Sequence, residues 1–304
     1  MILVDGVEIL TVLDGMRWNG ARDIVTRSFG FSFLYNPLKK DLPKYKVNVG
    51  SKVEWIENDK TLFFGYVEEV PYNTDEDIIS VTCTDNMARL VRSKFIGRMK
   101  GTLNKIADNI CSLFNLKNGI NSNNTHVHNI VSEGDLSYYE VLQVACQTVY
   151  GKDKYTLWLD KDTLKLIDSE VVAEFEIGKN IRSSNFKQSI SDMVTRVMII
   201  DSNGKVLQAV EDKENLQRFG LFQEVYNYNK DSKNNVAEAQ KLLKGITSEG
   251  GIVADNNNLC IAGRRIKIYE PVNKFDGVFE IQTDNHTIGN DAYMELEVKL
   301  VTGG

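Results

Sequence analysis

The residues able to do chemistry are few and widely spaced. Three histidines occur in the 304 residues, His126, His128 and His286. His126 and His128 form an H-x-H in "NSNNTHVHNI", two imidazoles that an extended segment turns to one side, as a two-ligand metal clip requires. No cysteine or further histidine stands near them, although Glu133 and Asp135 follow, so the pair reads as two solvent-exposed loop residues. His286, in "QTDNHTIG", has the chemistry of a general base, but no partnered serine or cysteine is identifiable. It reads as a structural residue of a strand or turn. Carboxylates are adjacent at Glu68–Glu69 and cluster in "TDEDI". Adjacent strand residues point to opposite faces, whereas a glycosidase needs two carboxyls facing across a cleft, about 5–10 Å apart. "DSNGK" begins like a calcium loop but lacks the later ligands and the closing glutamate. No GxSxG, HExxH, GxxxxGK[ST] or GxGxxG pattern is present. The expectation is a protein with no catalytic residue, no metal and no cofactor.

Composition points the same way. Hydrophobic residues make up 42% and charged residues 26%, which fits a globular chain with more than one core. The net charge is −6 with signs mixed throughout, so the basic stripe of a nucleic-acid binder is missing. Basic residues do gather in "MARLVRSKFIGRMKG", but no stacking aromatics interleave, and the stretch reads as a solvated connector. Cys83, Cys111, Cys146 and Cys260 form no CxxC pair and sit in apolar patterns, as reduced core thiols do. The start "MILVDGVEIL" lacks a signal-peptide pattern, and no apolar run reaches about 18 residues, so membrane insertion is not expected.

The elements that must position these residues are mostly strands. Over 1–95, "FSFLYN", "KVNVGSKVEWIE", "TLFFGYVEEV" and "DIISVTCTD" alternate apolar and polar residues, with "PYNTDED" as a turn. This region is expected to form a first tube-like antiparallel β-barrel. Residues 96–170 read as a small α/β module. Thr102 caps a helix over "LNKIADNICSLFNL". Ser137 and Glu140 make a capping box for a second, flanked by Leu136 and Val141 as a hydrophobic staple and stopped by a left-handed Gly151. A hairpin follows, turning near Asp160–Thr163. Residues 171–304 are expected to form a second tube-like barrel, with a type I′ turn at Asn203–Gly204 and a helical insertion near 232–245 ending at Gly245. Trp18, Trp55 and Trp158 are scattered and read as core or interface residues.

An internal repeat links the two β regions. "VNVGSKVEWIENDKTLFFGYVEEV" and "LCIAGRRIKIYEPVNKFDGVFEIQ" share a strand, a glycine, a second strand, a loop, a glycine and a third strand. Gly50 is matched with Gly263, and Gly65 with Gly277, as marks of one β-module used twice.

The order of these patterns over nearly the whole chain resembles the baseplate hub (tail hub) proteins of contractile phage tails, defective prophages and R-type bacteriocins. The segments that carry it are "GSKVEW", "FFGYVEEV", "LNKIADNICSLFNL", "GDLSYYEVLQVACQTVYGKDKYTLWLDKDTLKLID", "NLQRFGLFQEVYNY", "EAQKLLKG" and the closing "IAGRRIKIYEP", "GVFEIQTDNHTIG" and "MELEVKL". The resemblance implies a homotrimer with two tube-like barrels per chain, joining a sixfold tail tube protein to a threefold central spike protein among other baseplate proteins. The acidic balance, not the resemblance, is what disfavours specific nucleic-acid binding. The resemblance also implies synthesis in the bacterial cytoplasm, assembly into a phage or bacteriocin-like particle and release by lysis. The competing reading is a tail-associated cell-wall hydrolase or carbohydrate-binding β protein, which would need a cleft with convergent aromatics and carboxylates.

Overall fold

The computed structural model describes residues 1–9, 11–36, 38–42, 44–72, 77–151, 155–167, 170–230, 234–272 and 275–301, without the side chains of 11–15. The turn "PYNTDED" therefore lies partly outside the described residues. By contacts the chain divides into two compact units, Met1–Ser184 with Gly251–Val301, and the stretch Asn185–Gly250 between them.

Alternating apolar residues make the first strands. β1 (Ile2–Val4), β2 (Val7–Glu8), β3 (Thr11–Ala21), β4 (Ser28–Leu34), β5 (Lys52–Glu57), β6 (Lys60–Glu69) and β7 (Ile78–Asp85) follow one another. Phe29, Phe31 and Phe33 of β4, Val53 and Trp55 of β5, and Ile79, Val81 and Cys83 of β7 all point into one core, as period-two spacing requires. Phe29 stacks on Trp55 with 5.3 Å between ring centroids, and Trp18 meets Trp55 edge-on at 5.6 Å. Trp158 packs against the same core, so the three tryptophans, scattered in sequence, converge as core residues.

The middle of the chain is α/β. α1 (Met87–Arg92), β8 (Lys94–Gly101), α2 (Leu103–Leu113), β9 (Lys117–Asn118), β10 (His128–Ser137), α3 (Tyr138–Tyr150), β11 (Thr156–Asp160) and β12 (Thr163–Ile167) build it. The basic stretch expected to be a connector is α1 followed by β8. Its Met87 and Leu90 are fully buried while its basic side chains stay outside, because long cationic chains keep their heads in water. α2 and α3 bury Leu103, Ile106, Ile110, Val141, Leu142 and Ala145 in a second core. Thr102 Oγ1 accepts from the Lys105 N–H at 3.4 Å. Ser137 and Glu140 exchange both capping-box bonds, at 3.2 and 2.5 Å. The hairpin turns with Asp160 opposite Thr163. Gly151 ends α3 with φ +89 but ψ 160, so it takes a positive φ without the left-handed helical ψ.

The remaining strands of the large sheet come from both sides of the insertion. β13 (Val171–Glu176) and β14 (Ile181–Ser189) precede it; β18 (Thr247–Asp255), β19 (Arg265–Glu270), β20 (Phe275–Ile288) and β21 (Tyr293–Leu300) follow. Together with β1–β7 they form one 13-stranded sheet, ordered β14-β18-β21-β20-β3-β4-β7-β6-β5-β1-β2, with β13 beside β19. The protein is mainly β with an α/β insert, as the sequence patterns predict.

The second unit holds β15 (Arg196–Ile200), β16 (Val206–Glu211), α4 (Lys213–Phe219), β17 (Gln223–Asn227) and α5 (Asn235–Gln240). β15 is central, antiparallel to β16 and parallel to β17. Val197, Ile199, Val210 and Ala239 form its small core. The expected helix is α5. It stops at Gln240, well before Gly245, and begins close to residues 231–233, which lie outside the described residues. The Asn203–Gly204 turn is not type I′, since only Gly204 has positive φ. Asp201 Oδ1 accepts from the N–H groups of Asn203 and Lys205, at 2.8 and 2.9 Å, and this fixes a tighter loop with Gly204 as its left-handed residue.

Candidate functional site

The two β regions follow the same strand order. In the first the sheet order is β5-β6-β7-β4-β3; in the second it is β19-β20-β21-β18-β14. Taken in sequence, β3, β4, β5, β6, β7 match β14, β18, β19, β20, β21 one for one. Only the flanking strand differs, since β1 is antiparallel to β5 while β13 is parallel to β19. The match extends to single hydrogen bonds. Gly50 N–H donates to Val67 O at 2.8 Å and Val67 N–H to Ser51 O at 2.9 Å; Gly263 N–H donates to Ile281 O and Ile281 N–H to Arg264 O, both at 2.9 Å. Each glycine has positive φ, +86 and +90. The same bulge follows in both, at Val67/Glu69 against β7 and at Ile281/Thr283 against β21.

The other glycine pair is not equivalent. Gly65 pairs with Val53, whose counterpart Ile266 pairs with Phe279; Gly277 pairs with Ile268, whose counterpart Trp55 pairs with Phe63. Module one thus reads Phe63-x-Gly65 where module two reads Gly277-x-Phe279. The reason is local: a Cβ at Gly65 would lie 2.1 Å from Thr84 O and 2.7 Å from the Phe63 ring. In this strand a glycine accompanies the phenylalanine two residues away, and the two residues are interchanged between the two regions.

The modules meet where β3 of the first pairs antiparallel with β20 of the second, from Ala21↔Thr283 to Met16↔Ile288. Buried polar groups cross this joint. Arg27 Nη1 donates to Asp284 Oδ1 at 2.9 Å, and Nη2 pairs with Oδ2. Asp284 is fully buried and also accepts from the Ala262 N–H at 2.6 Å. Burial pushes its carboxyl up, but the Arg27 guanidinium and His286 more than offset this and hold it below the usual carboxylate range. The Arg27 guanidinium also lies over the Trp18 ring, 4.1 Å from its centroid. His286, 1% exposed, has Nδ1 2.7 Å from Asn256 Oδ1 and Nε2 3.1 Å from Cys260 O. Asn256 Nδ2 donates to Asn258 Oδ1 at 2.9 Å, and Asn258 Nδ2 to the Glu57 carboxylate of module one.

This gathering of Asp284, His286 and Cys260 has the residue types of a nucleophilic site without its chemistry. Burial pushes the Cys260 thiol up to about 12, and its side chain is fully buried. Cys83, Cys111 and Cys146 are also free, buried thiols raised to about 12, 11 and 12 by burial. The histidine clip fares differently from expectation. His126 is exposed, but His128 opens β10 and is 4% exposed, because alternation turns it inward. Burial and the neighbouring His126 both lower its basicity. Among the described residues no three His, Cys, Asp or Glu side chains group as a metal set. A cavity of about 530 Å³ opens between the β3–β4 connection and α3, lined by Ile24, Val25, Tyr139, Gln143 and Tyr155. Its Glu140 is committed to the Ser137 N–H.

The pattern of one known family covers residues 16–299, described as YQBQ-like. The chain belongs to the YQBQ-like family. No curated protein matches it. Among solved structures it is similar to the 43 kDa tail protein of prophage MuSo2 from Shewanella oneidensis, with TM-score 0.75 and 15% identity over 98% of this chain and 96% of that one. It is similar to the tail protein from Neisseria meningitidis MC58, with TM-score 0.70 and 15% identity over 98% and 95%. The prophage tail protein gp18 from Listeria monocytogenes EGD-e gives TM-score 0.64 and 14% identity over 98% and 92%. This family member therefore shares one fold with those tail proteins along nearly its full length.

Sequence reading missed the joint itself. His286 is legible as a structural strand residue, but its neighbours Arg27 and Asp284 carry no local mark, and only the pairing of β3 with β20 brings the three together. The available signal was weak: Asp284 and His286 sit in the polar run Gln282–Thr287, where nothing marks them as buried.

Proposed function

We propose that the chain is a structural subunit of a phage-type tail baseplate, a hub in which three copies present six β-modules. Each module acts as a tube-like barrel, the first built from residues 1–95 and the second from 171–304. Six modules match the sixfold tail tube, while the threefold chain symmetry matches a central spike. The observation that carries this is the one-for-one duplication of five strands, which lets a threefold assembly offer a near-sixfold face. The full-length likeness to tail proteins supports it. The work done is mechanical: load passes between tube and spike, and no bond is made or broken. The buried Cys260 and the committed Glu140 favour this over a cell-wall hydrolase. The subunit would be made in the cytoplasm and join other baseplate proteins in a particle released by lysis.

The test is the mass and symmetry of the assembled particle by electron microscopy, beside a cell-wall digestion assay. A homotrimer without hydrolysis is expected. A stable dimer, a sixfold ring of single chains, or digestion of cell wall overturns the reading.

A further inference from the structure

The joint inside the chain specifies a joint between chains. Inside, β3 of module one lies along β20 beyond Ile281, and in module two β14 occupies the place of β3. β14 has β18 as its only strand neighbour and ends the sheet among the described residues, with Arg182, Ser183, Lys187 and Gln188 exposed. In module one the counterpart of β20 beyond Ile281 is β6 beyond Val67. There Glu68, Glu69, Pro71 and Tyr72 are exposed, and among the described residues no strand continues past β5 on that side. One chain thus carries an unmatched copy of each half of its own joint. We propose that copies of this chain associate head to tail by strand addition, the outer edge of β14 of one lying along Glu68–Tyr72 of the next.

The backbone of the receiving edge fits. Arg22 N–H donates to Gln282 O at 2.8 Å, so Gln282, Asp284 and His286 turn their main-chain groups toward β3, and Thr283 and Asn285 turn theirs away. Their counterparts are Glu68, Val70 and Tyr72 toward the newcomer, with Glu69 and Pro71 turned away. Proline lacks an N–H, and at 71 the missing donor faces β7, where the β6·β7 ladder has already ended at Glu69↔Thr82. Pro71 stops the hairpin without spoiling the outer edge. Charge agrees in sign, Glu68 and Glu69 against Arg182 and Lys187, with the exposed pairs Glu68–Arg92, Arg182–Asp255, Arg182–Asp291 and Lys187–Glu249 exchanging partners.

The joint between chains is also weaker by construction. Val70 stands where Asp284 stands, so the carboxylate that clamps Arg27 has no counterpart. Main-chain bonds remain, as in other strand additions, and association should depend on concentration. Because the pairing is heterologous, it must close into a ring or run on as a fibre. Closure at three chains rests on the function proposed above; the pairing itself rests on the duplicated strand order.

The experiment mixes two single-cysteine variants of the full chain. One is Glu69→Cys; the other is Ser183→Cys, Ser184→Cys or Lys187→Cys, tried in turn along β14. Native cysteines are buried and contribute little background. On oxidation at high protein concentration, cross-links are expected between the two variants and not within either alone. Light scattering on the unmodified chain and electron microscopy of the assembled particle give the copy number independently. A trimer in which none of the three mixtures cross-links overturns the strand pairing and leaves the hub reading intact. Cross-linking of mixed variants in an assembly that is not threefold upholds the pairing and overturns the hub reading. Cross-links within a single variant indicate a twofold contact and overturn the pairing.

Discussion

Arg27 and Asp284 lie near opposite ends of the chain and form a buried two-point ion pair across the seam between the β-modules, Arg27 Nη1 to Asp284 Oδ1 at 2.9 Å. Truncating one partner leaves the other charge buried and alone. Arg27→Met or Asp284→Asn is expected to cost about 3–5 kcal/mol in denaturant unfolding. The double variant should cost less than the sum, because the residues act as one unit. Additive losses would mean that each residue works through other contacts, such as Trp18 or the Ala262 N–H.

Acid should weaken the same seam. The folded-state pKa of Asp284 is below its ordinary value of 3.8, so its contribution is complete above that value. It is lost as pH falls through the lower folded value. Asp284→Asn should therefore flatten the acid limb of the stability–pH curve, measured by urea unfolding at closely spaced pH values.

Asp85 should act with the opposite sign. Burial raises its carboxyl from 3.8 to about 7, despite the N–H groups it accepts from, including that of Met87. The folded state then holds a proton that the unfolded chain has released. Stability falls as pH rises between these values, by up to about 4 kcal/mol from this group. Asp85→Asn keeps an oxygen for the Met87 N–H and should remove that slope, gaining most above pH 7. An unchanged slope would show that Asp85 is ionised in the fold.

The paired glycines give an internal control. A Cβ at Gly50 meets nothing within 4 Å, whereas at Gly263 it would lie 2.5 Å from Thr156 Oγ1 and 2.8 Å from its Cβ. Gly50→Ala should cost about 1 kcal/mol, the strain of a positive φ. Gly263→Ala should cost clearly more, with part recovered by Thr156→Ala. Thermal unfolding of the three variants decides it.

Ser137→Ala removes the oxygen that accepts from the Glu140 N–H at the start of α3. A loss of about 1 kcal/mol is expected, read from chemical unfolding. No change, with α3 intact by circular dichroism, would mean that water meets the freed amides as well as the serine does.

Period-two alternation made β4, β5 and β7 legible, and the S-x-x-E spacing made the start of α3 legible, because both signals are local. The shared strand pattern was legible through Gly50 and Gly263, each held by the same pair of main-chain bonds. Spacing misled at Gly65 and Gly277, since the glycine and the phenylalanine two residues away stand in the opposite order in the two regions, which spacing between glycines does not register. His128 was misjudged because nothing local says which face of β10 turns inward. The Asn203–Gly204 turn was misread because an upstream side chain, Asp201, sets it. Arg27, Asp284 and His286 could not be joined by any local rule, for their meeting depends on β3 finding β20.

That pairing also sets a timetable. Met16 pairs with Ile288, so the outer side of β3 stays uncovered until β20, more than 250 residues later, has left the ribosome. Trp18 waits with it, for the His286 ring that ends 5.2 Å from its own is made long after it. Long-range pairing of this kind is slow to form and leaves an open strand edge in the meantime. The nascent chain must keep that edge from neighbouring chains on the same messenger, and a product cut short before β20 would carry it uncovered for as long as it lasts.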